Sequence, residues 1–151
     1  MLSPKLIELI EAHAEKISNR ILRQIRRDPS LAHLANVPEA ELRERAHQIV
    51  QNLGDWLEFG DDQTLAWEYQ NVGKRRFEES VPLHESIRGL CLIKYAIIDY
   101  ILEQGLDRDT VELYAEEELG RRVAHFFDRL VIHLARGYET EWRHSLLAID
   151  A

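Results

Sequence analysis

The sequence predicts an all-α fold, and three features support this class. Apolar residues recur with helical spacing over long segments, the few glycines and prolines stand mostly where such segments end, and no stretch shows the apolar–polar alternation of a strand. The chain has 151 residues, of which 45% are hydrophobic and 30% are charged. A chain of this length can bury a hydrophobic core without disulfides or metal ions, so we expect a single helical domain over 1–151.

Two amphipathic helices are predicted in the first sixty residues. The first begins at Ser3-Pro4, an N-cap followed by proline at the first helical position, and ends at Asp28-Pro29, because proline disfavours helical geometry in the residue before it. A loop leads to Pro38, and the second helix runs from there to Gly60. The apolar stripes are Leu6, Ile10, Ala14, Ile17, Ile21 and Ile25 in the first helix, and Leu42, Ala46, Ile49, Val50, Leu53, Trp56 and Leu57 in the second.

Three further helices complete the prediction. The third follows Asp61-Asp62 and ends before Ser80, and the fourth covers roughly 83–103 and is apolar nearly all round, which places it at the centre of the fold. The last runs from about 109 to 148 and would be about 57 Å long, more than a domain of this size needs. We therefore expect this helix to project, to pair with another chain, or to bend near Gly137.

Composition excludes several classes of partner and location. The net charge of −8 argues against binding to nucleic acid, whose affinity for proteins comes largely from phosphate neutralisation. The most apolar stretch, 89–102, is 14 residues long and carries Lys94 and Asp99, so no membrane span is expected. The single cysteine, Cys91, and the absence of a secretory signal at the N-terminus predict a cytoplasmic protein.

Two patterns point to chemistry. The pairs Glu44/His47 and Glu141/His144 have the Glu-x-x-His spacing of di-iron bundles, so a di-metal centre is one alternative function. His84, followed by Ser86 and Arg88-Gly89, has the residue types found around the reactive histidine of phosphotransfer bundles, although the basic residue and glycine come one place late. We interpret all these residues as ordinary surface positions and expect no enzyme, no metal and no cofactor.

Several short motifs resemble one family along nearly the whole chain. They are Arg27-Asp28-Pro29, Trp56-Leu57-Glu58-Phe59-Gly60-Asp61, Val72-Gly73-Lys74-Arg75-Arg76, Val81-Pro82-Leu83-His84-Glu85 and Gly89-Leu90. In this order and at these spacings they are similar to the N-terminal domain of RsbT co-antagonist proteins. The resemblance implies a five-helix, globin-like sensory bundle with a long C-terminal helix, which dimerises, lacks haem and precedes an output domain of STAS or kinase type.

The third of these motifs bears on haem. Globin-coupled sensors carry an Ile-Gly-x-x-His pattern whose histidine binds the iron, and Arg76 stands at that place here. A guanidinium has no lone pair to offer iron, so the resemblance implies a globin shape without haem chemistry. Haem binding through another histidine remains an alternative. Arg76 would either snorkel to solvent or bind an anion or Asp99, in a possible ligand pocket with Tyr69 and Tyr95.

The predicted function is that of a non-enzymatic signalling sensor. It would form a homodimer and relay a stimulus through the last helix to a C-terminal output module or other signalling proteins. The interface is expected to draw on the first and last helices. Its predicted residues are Leu6, Ile10, Ile17, Leu134, Tyr138 and Trp142.

Overall fold

The computed structural model describes residues 4–104 and 110–150, with side chains up to 149. Within those ranges it contains eight α-helices, one 3₁₀ turn at Pro29–Leu31 and no strand, which confirms the predicted all-α class. The helices are α1 (Pro4–Ala12), α2 (Ala14–Arg27), α3 (Ala32–Ala35), α4 (Glu39–Gln51), α5 (Leu53–Phe59), α6 (Asp62–Glu78), α7 (Leu83–Glu103) and α8 (Thr110–Asp150).

Local chemistry explains several helix ends. The side chain of Asp61 accepts a hydrogen bond from the backbone N–H of Thr64 at 2.7 Å and so caps α6. Asp28 accepts from the N–H of Ser30 at 2.9 Å, and the 3₁₀ turn begins directly afterwards at Pro29. After α6, Ser80 adopts a left-handed φ of 63°, which turns the chain sharply before α7 begins behind Pro82.

The first two predicted helices are each broken once. The breaks fall at His13 and Asn52, where φ is near −108° and ψ near 20°. In both residues the side chain bonds the carbonyl four residues earlier: His13 Nδ1 lies 2.8 Å from Leu9 O, and Asn52 Nδ2 donates to Gln48 O at 3.1 Å. Such bonds compete with the backbone ladder of the helix. The apolar stripe continues across both breaks, so periodicity predicted single helices there.

The core lies where α8 packs against α6 and α7 while α2 packs against α4 and α7. The helices α6 and α8 approach most closely at Gly73 and Gly137. A Cβ atom added to Gly73 would come within 2.2 Å of the carbonyl oxygen of Leu134, and one on Gly137 would meet that of Gln70 at the same distance. Only glycine permits such a close backbone approach at these two positions.

The last helix is continuous through Gly137. Its 41 residues correspond to about 62 Å, and since the helix is unbroken, the chain does not bend at Gly137 so as to fold back on itself. The close contact with α6 accounts for the glycine there. Beyond Glu141, four large apolar side chains of α8 are exposed by about half or more. They are Trp142, Leu146, Leu147 and Ile149.

Most of the predicted dimer interface lies inside the protomer. Five of its six residues are at most 9% exposed because they pack into the core of their own chain: Leu6, Ile10, Ile17, Leu134 and Tyr138. Their assignment to a surface was wrong, since apolar periodicity does not separate a residue that faces the core from one that faces a partner. Only Trp142, which is 60% exposed, is available to another chain. In the described ranges, no helix has the length and apolar character that a membrane crossing requires.

Candidate functional site

The side chain of Arg76 is buried in the last turns of α6 and is held by two carboxylates. Its Nη1 atom lies 2.9 Å from Oε1 of Glu41 in α4 and 2.7 Å from Oε1 of Glu79 just after α6. Arg75 also pairs with Glu41 through its Nε atom. We call these four residues the Arg76 cluster. It joins α4 to the end of α6, so Arg76 neither snorkels to solvent nor reaches Asp99.

The two carboxyl groups of the cluster differ in their affinity for protons. Burial raises the pKa of both, but hydrogen bonds and the Arg75 and Arg76 charges outweigh it at Glu41, whose pKa falls below the ordinary value. At Glu79 burial prevails, and the neighbouring Glu41 adds to it, so the pKa of Glu79 is raised. When the pH falls, Glu79 is therefore the member of the cluster that takes up a proton first.

A small cavity adjoins Arg76 at the centre of the helices. Its volume is about 50 Å³, enough for one or two water molecules and well below the roughly 300 Å³ at which pockets for drug-sized ligands begin. The polar residues at its wall are Arg45, Arg76 and Ser86. The remaining lining is apolar or glycine: Ile21, Ile25, Leu34, Leu42, Ala46, Val72, Gly89, Leu90, Ile93 and Leu134.

Arg45 is the second cation beside this cavity. It donates to Glu68 at 2.7 Å, and its guanidinium carbon lies 5.6 Å from the ring centroid of Tyr69. Tyr69 is 1% exposed, and burial raises the pKa of its hydroxyl far above the ordinary value. Both arginines near the cavity are thus neutralised by carboxylates of the protein itself, which leaves little attraction for an added anion.

The residues at this site do not fit a haem. Position 76, where the motif would have the iron ligand, carries a guanidinium that is committed to Glu41 and Glu79. The cavity is far smaller than a porphyrin, and among the described residues its wall includes no histidine, cysteine or methionine. The wall at α6 is also closed tightly, because Gly73 packs on the backbone of α8.

The predicted ligand pocket is assembled only in part. Arg76 lines the small cavity, and Tyr69 lies beside Arg45 at the same cavity. Asp99 and Tyr95 lie instead on the outer side of α7. Tyr95 is 48% exposed, with the Lys94 ammonium 4.9 Å from its ring centroid. Placing them with Arg76 was wrong, because the faces of an almost wholly apolar helix cannot be assigned from its pattern. Glu41, Glu79 and Arg45 were not predicted as site residues from the sequence. Only the three-residue spacing of Arg76 and Glu79 could have indicated a partner.

The alternative chemical motifs occupy the surface. His84 is exposed in the first turn of α7, and the structure does not test its phosphorylation. His144 Nδ1 lies 3.6 Å from Oε1 of Glu141, the other member of its Glu-x-x-His pair. Within 4–104 and 110–150, no group of three histidine, cysteine, aspartate or glutamate side chains is arranged to hold a metal ion. The two Glu-x-x-His pairs therefore do not build a di-metal centre in the described part of the chain.

A buried pair of hydroxyl groups links the turn after α6 to α8. Tyr138 donates to the carbonyl of Val81 at 2.8 Å, and its oxygen lies 2.6 Å from Oγ of Ser86. Since the only hydroxyl proton of Tyr138 is used on Val81, Ser86 is the donor of the second bond. Burial raises the pKa of Tyr138, which keeps this proton in place. The turn that carries Glu79 is thereby tied to α8.

Comparison with known proteins identifies the family and the fold. The family described as the RsbT co-antagonist protein rsbRD N-terminal domain matches residues 14–148. The crystal structure of the globin domain of E. coli DosC, in ferrous form II, superposes with a TM-score of 0.71 at 18% sequence identity, over 90% of this chain and 91% of that one. At this identity the likeness establishes a globin fold and nothing further. No curated protein sequence gives a match.

Proposed function

The chain belongs to the family of RsbT co-antagonist protein rsbRD N-terminal domains, which implies a role in signalling and regulation, and we propose that it is a non-enzymatic, haem-free sensory domain. In this proposal it forms a homodimer in the cytoplasm, and a stimulus that alters the packing of its helices is passed along α8 to a C-terminal output module of STAS or kinase type. A role in stress responses would follow from the family.

The continuity of α8 is the observation that carries the proposal. Between Leu119 and Tyr138 this helix supplies core residues, and without interruption it extends to the exposed Trp142, Leu146 and Ile149. A change in packing at the core can therefore rotate or shift the exposed end as a rigid rod. A relay of this kind needs two arrangements to which the stimulus binds with different affinity.

The Arg76 cluster supports a haem-free sensor. Arg76 stands where the motif would have the iron ligand, and its ion pairs connect α4 to the end of α6. The turn after α6 is bonded to α8 through Tyr138. In this proposal, the breaking of one of these ion pairs gives the second packing state that the relay requires. We place the input to α8 here, and the small cavity beside Arg76 leaves room for rearrangement.

Because most of the predicted interface residues are buried in their own chain, we propose that the two copies meet on the outer side of α7 and α8. A groove of about 470 Å³ runs between them and is lined mostly by apolar side chains. We define the α7–α8 face by Ile87, Cys91, Lys94, Asp128, Val131 and Ile132. Lys94 and Asp128 have opposite charges, so a twofold axis through this face can bring each to its counterpart on the second copy.

The dimer is tested by light scattering at tens of micromolar. Wild-type protein is expected to have twice the mass of the chain, and Ile132→Glu, which puts a charge on the α7–α8 face, is expected to shift the mass towards that of a monomer. Trp67→Glu is the matched control because Trp67 is 73% exposed on α6, away from the face. A monomeric wild type, or equal effects of the two substitutions, would contradict the proposal.

The relay is tested with an output domain fused after residue 150. Two residues inserted after Glu141 rotate everything beyond by about 200°, whereas seven residues leave the rotational phase nearly unchanged. The response to stimulus is expected to be lost or inverted with the first insertion and kept with the second. If both insertions behave alike, α8 does not transmit by rotation, and the relay proposal fails.

A further inference from the structure

The N-terminal helix α1 contributes to the core but is separated from α2 by one residue outside helical geometry. The family match begins at residue 14, one residue after α1 and α2 are separated by the break at His13. The nine residues of α1 are too few to hold a helix in water by themselves, so its conformation depends on docking. It packs against α5, α4 and α7.

The helix α1 docks through an apolar face that joins the hydrophobic core. Leu6, Ile7 and Ile10 turn one buried face to the domain, and Ile10 is fully buried. Glu11 accepts a hydrogen bond at 3.3 Å from the backbone N–H of Gly54, in the first turn of α5. Ile7 lies so near Gly54 that a Cβ atom added there would be 3.0 Å from its Cγ2. The opposite face of α1 is exposed.

The break at His13 has the features of a hinge. Its backbone is outside helical geometry, and its side chain caps no N–H of α2. The exposed ring has its Nδ1 2.8 Å from Leu9 O and 3.0 Å from the hydroxyl of Tyr100. Backbone bonds from His13 N–H to Leu9 O and from Ile17 N–H to His13 O also cross the joint. Beyond the joint, α2 is anchored separately through Ile17, Ile21 and Ile25.

From these observations we infer that α1 is a strap that opens as one unit about His13 while α2 to α8 stay folded. In the closed state α1 covers an apolar groove on α4, α5 and α7. In the open state this groove is uncovered, and the segment that fits it is α1 itself. Segments with few buried contacts of their own open well below the free energy of global unfolding. The inference does not depend on the dimer or on the relay through α8.

Hydrogen exchange on the full chain tests the opening. The amides of 8–13 are followed, because each can donate to a carbonyl of the preceding turn of α1. Cooperative opening predicts one common protection factor for them, lower than that of α2. Ile10→Ala is expected to reduce this factor about tenfold or more and to leave α2 unchanged. Ile21→Ala, at an equally buried position of α2, is expected to reduce protection throughout the domain.

Two results would overturn the strap. One is a protection that declines gradually towards Pro4, which is fraying of a chain end and not opening of a unit. The other is an Ile10→Ala variant in which α2 loses as much protection as α1, because α1 would then unfold only with the domain. Fraying and global unfolding are thus both distinguishable from the proposed movement.

A second measurement probes the uncovered groove directly. Ile10→Ala weakens the docking of α1 and leaves the sequences of α4, α5 and α7, against which α1 packs, unchanged. This variant is expected to bind a labelled peptide of residues 4–13 with the wild-type sequence, added in trans, whereas wild type, whose groove is filled by α1, binds it at least tenfold more weakly. If Ile10→Ala stays folded but binds the peptide no better than wild type does, the uncovered groove of the proposal does not exist.

Discussion

The hydroxyl of Tyr138 on α8 lies 2.6 Å from that of Ser86 on α7, and its proton goes to the carbonyl of Val81. Tyr138→Phe removes both bonds and leaves two buried groups without a partner. Each buried unsatisfied polar group costs about 1–3 kcal/mol, so the free energy of unfolding is expected to fall by at least about 2 kcal/mol. Chemical denaturation measures this change in the free energy of unfolding.

The same substitution at Tyr95 is the control for Tyr138→Phe. Tyr95 is 48% exposed on α7, so Tyr95→Phe is expected to change the free energy of unfolding by less than about 0.5 kcal/mol. Ser86→Ala alone and together with Tyr138→Phe completes a double-mutant cycle, in which the two changes should not be additive. Additive effects would show that the two hydroxyls do not interact.

The fold was predictable from the sequence to a different degree in each region. The bounds of α6, α7 and most of α8 followed from Asp61, Pro82 and the apolar periodicity, because caps and prolines act locally. The breaks at His13 and Asn52 did not, because the apolar stripe continues unchanged across the residue whose backbone leaves helical geometry. Within the candidate site, periodicity placed Arg76 on the buried stripe of α6.

What the sequence did not reveal were partners far apart in the chain. Glu41 lies 35 residues before Arg76, and nothing in its helical pattern separates it from a solvent-exposed glutamate. The dimer residues were misplaced for a related reason: Ile10 and Leu134 are apolar because they meet other helices of the same chain. Which helix faces meet is decided by tertiary packing, and a single sequence does not encode it in local spacing.

The crossing of α6 and α8 predicts that Gly73→Ala destabilises the domain. The added methyl would meet the backbone carbonyl of Leu134, which moves only if a helix moves. Overpacking costs about 1–3 kcal/mol, and we expect the upper part of that range to outweigh the roughly 1 kcal/mol that alanine gains in a helix. Thermal or chemical unfolding measures the change.

Gly120→Ala is the matched control in this experiment. Gly120 lies in α8, the helix that Gly73 of α6 contacts, but a Cβ atom added at Gly120 has no atom within 4 Å. Its helix propensity then acts alone, and the variant is expected to be more stable by up to about 1 kcal/mol. Gly73→Ala and Gly120→Ala should therefore have opposite signs. Stabilisation by both would mean that α6 and α8 are farther apart than described.

The Arg76 cluster predicts a large cost when its cation is removed. Arg76→Met leaves Glu41 and Glu79 facing each other in a largely buried position, and breaking a buried ion pair costs about 3–5 kcal/mol. Because both carboxylates retain some exposure, the loss in unfolding free energy should lie near 3 kcal/mol. Adding Glu79→Gln to Arg76→Met is expected to recover part of it. If Arg76→Met costs nothing, the ion pairs do not hold α4 to α6.

The narrow cavity predicts that a histidine at position 76 does not restore haem binding. Arg76→His supplies the missing type of iron ligand, but the cavity of about 50 Å³ gives the porphyrin no room. After incubation with haemin and gel filtration, we expect no Soret band stronger than that of wild type. A stoichiometric band in the variant would show that the helices can separate enough to accept the ring.

The contact between Glu85 and the first turn of α3 predicts a dependence of stability on pH. This buried carboxylate accepts the backbone N–H groups of His33 at 3.0 Å and Leu34 at 3.1 Å, and His33 Nδ1 donates to it at 2.7 Å. Burial acts to raise the pKa of Glu85, but these three bonds outweigh it, so the pKa is lower in the folded than in the unfolded chain. A carboxyl group of this kind stabilises the fold above its ordinary pKa of 4.5, and the contribution is lost as the pH falls through the lower folded value.

Glu85→Gln isolates this contribution. The amide oxygen of glutamine can still accept a bond but carries no charge, and its NH₂ group faces the donor His33, so at pH 7 we expect a loss of about 1–3 kcal/mol in the free energy of unfolding. The difference between wild type and variant should shrink when urea titrations are repeated at decreasing pH below 4.5, because protonated Glu85 resembles glutamine. A difference that stays constant down to the acid transition would mean that the charge of Glu85 does not hold α3, and that its role is one of shape alone.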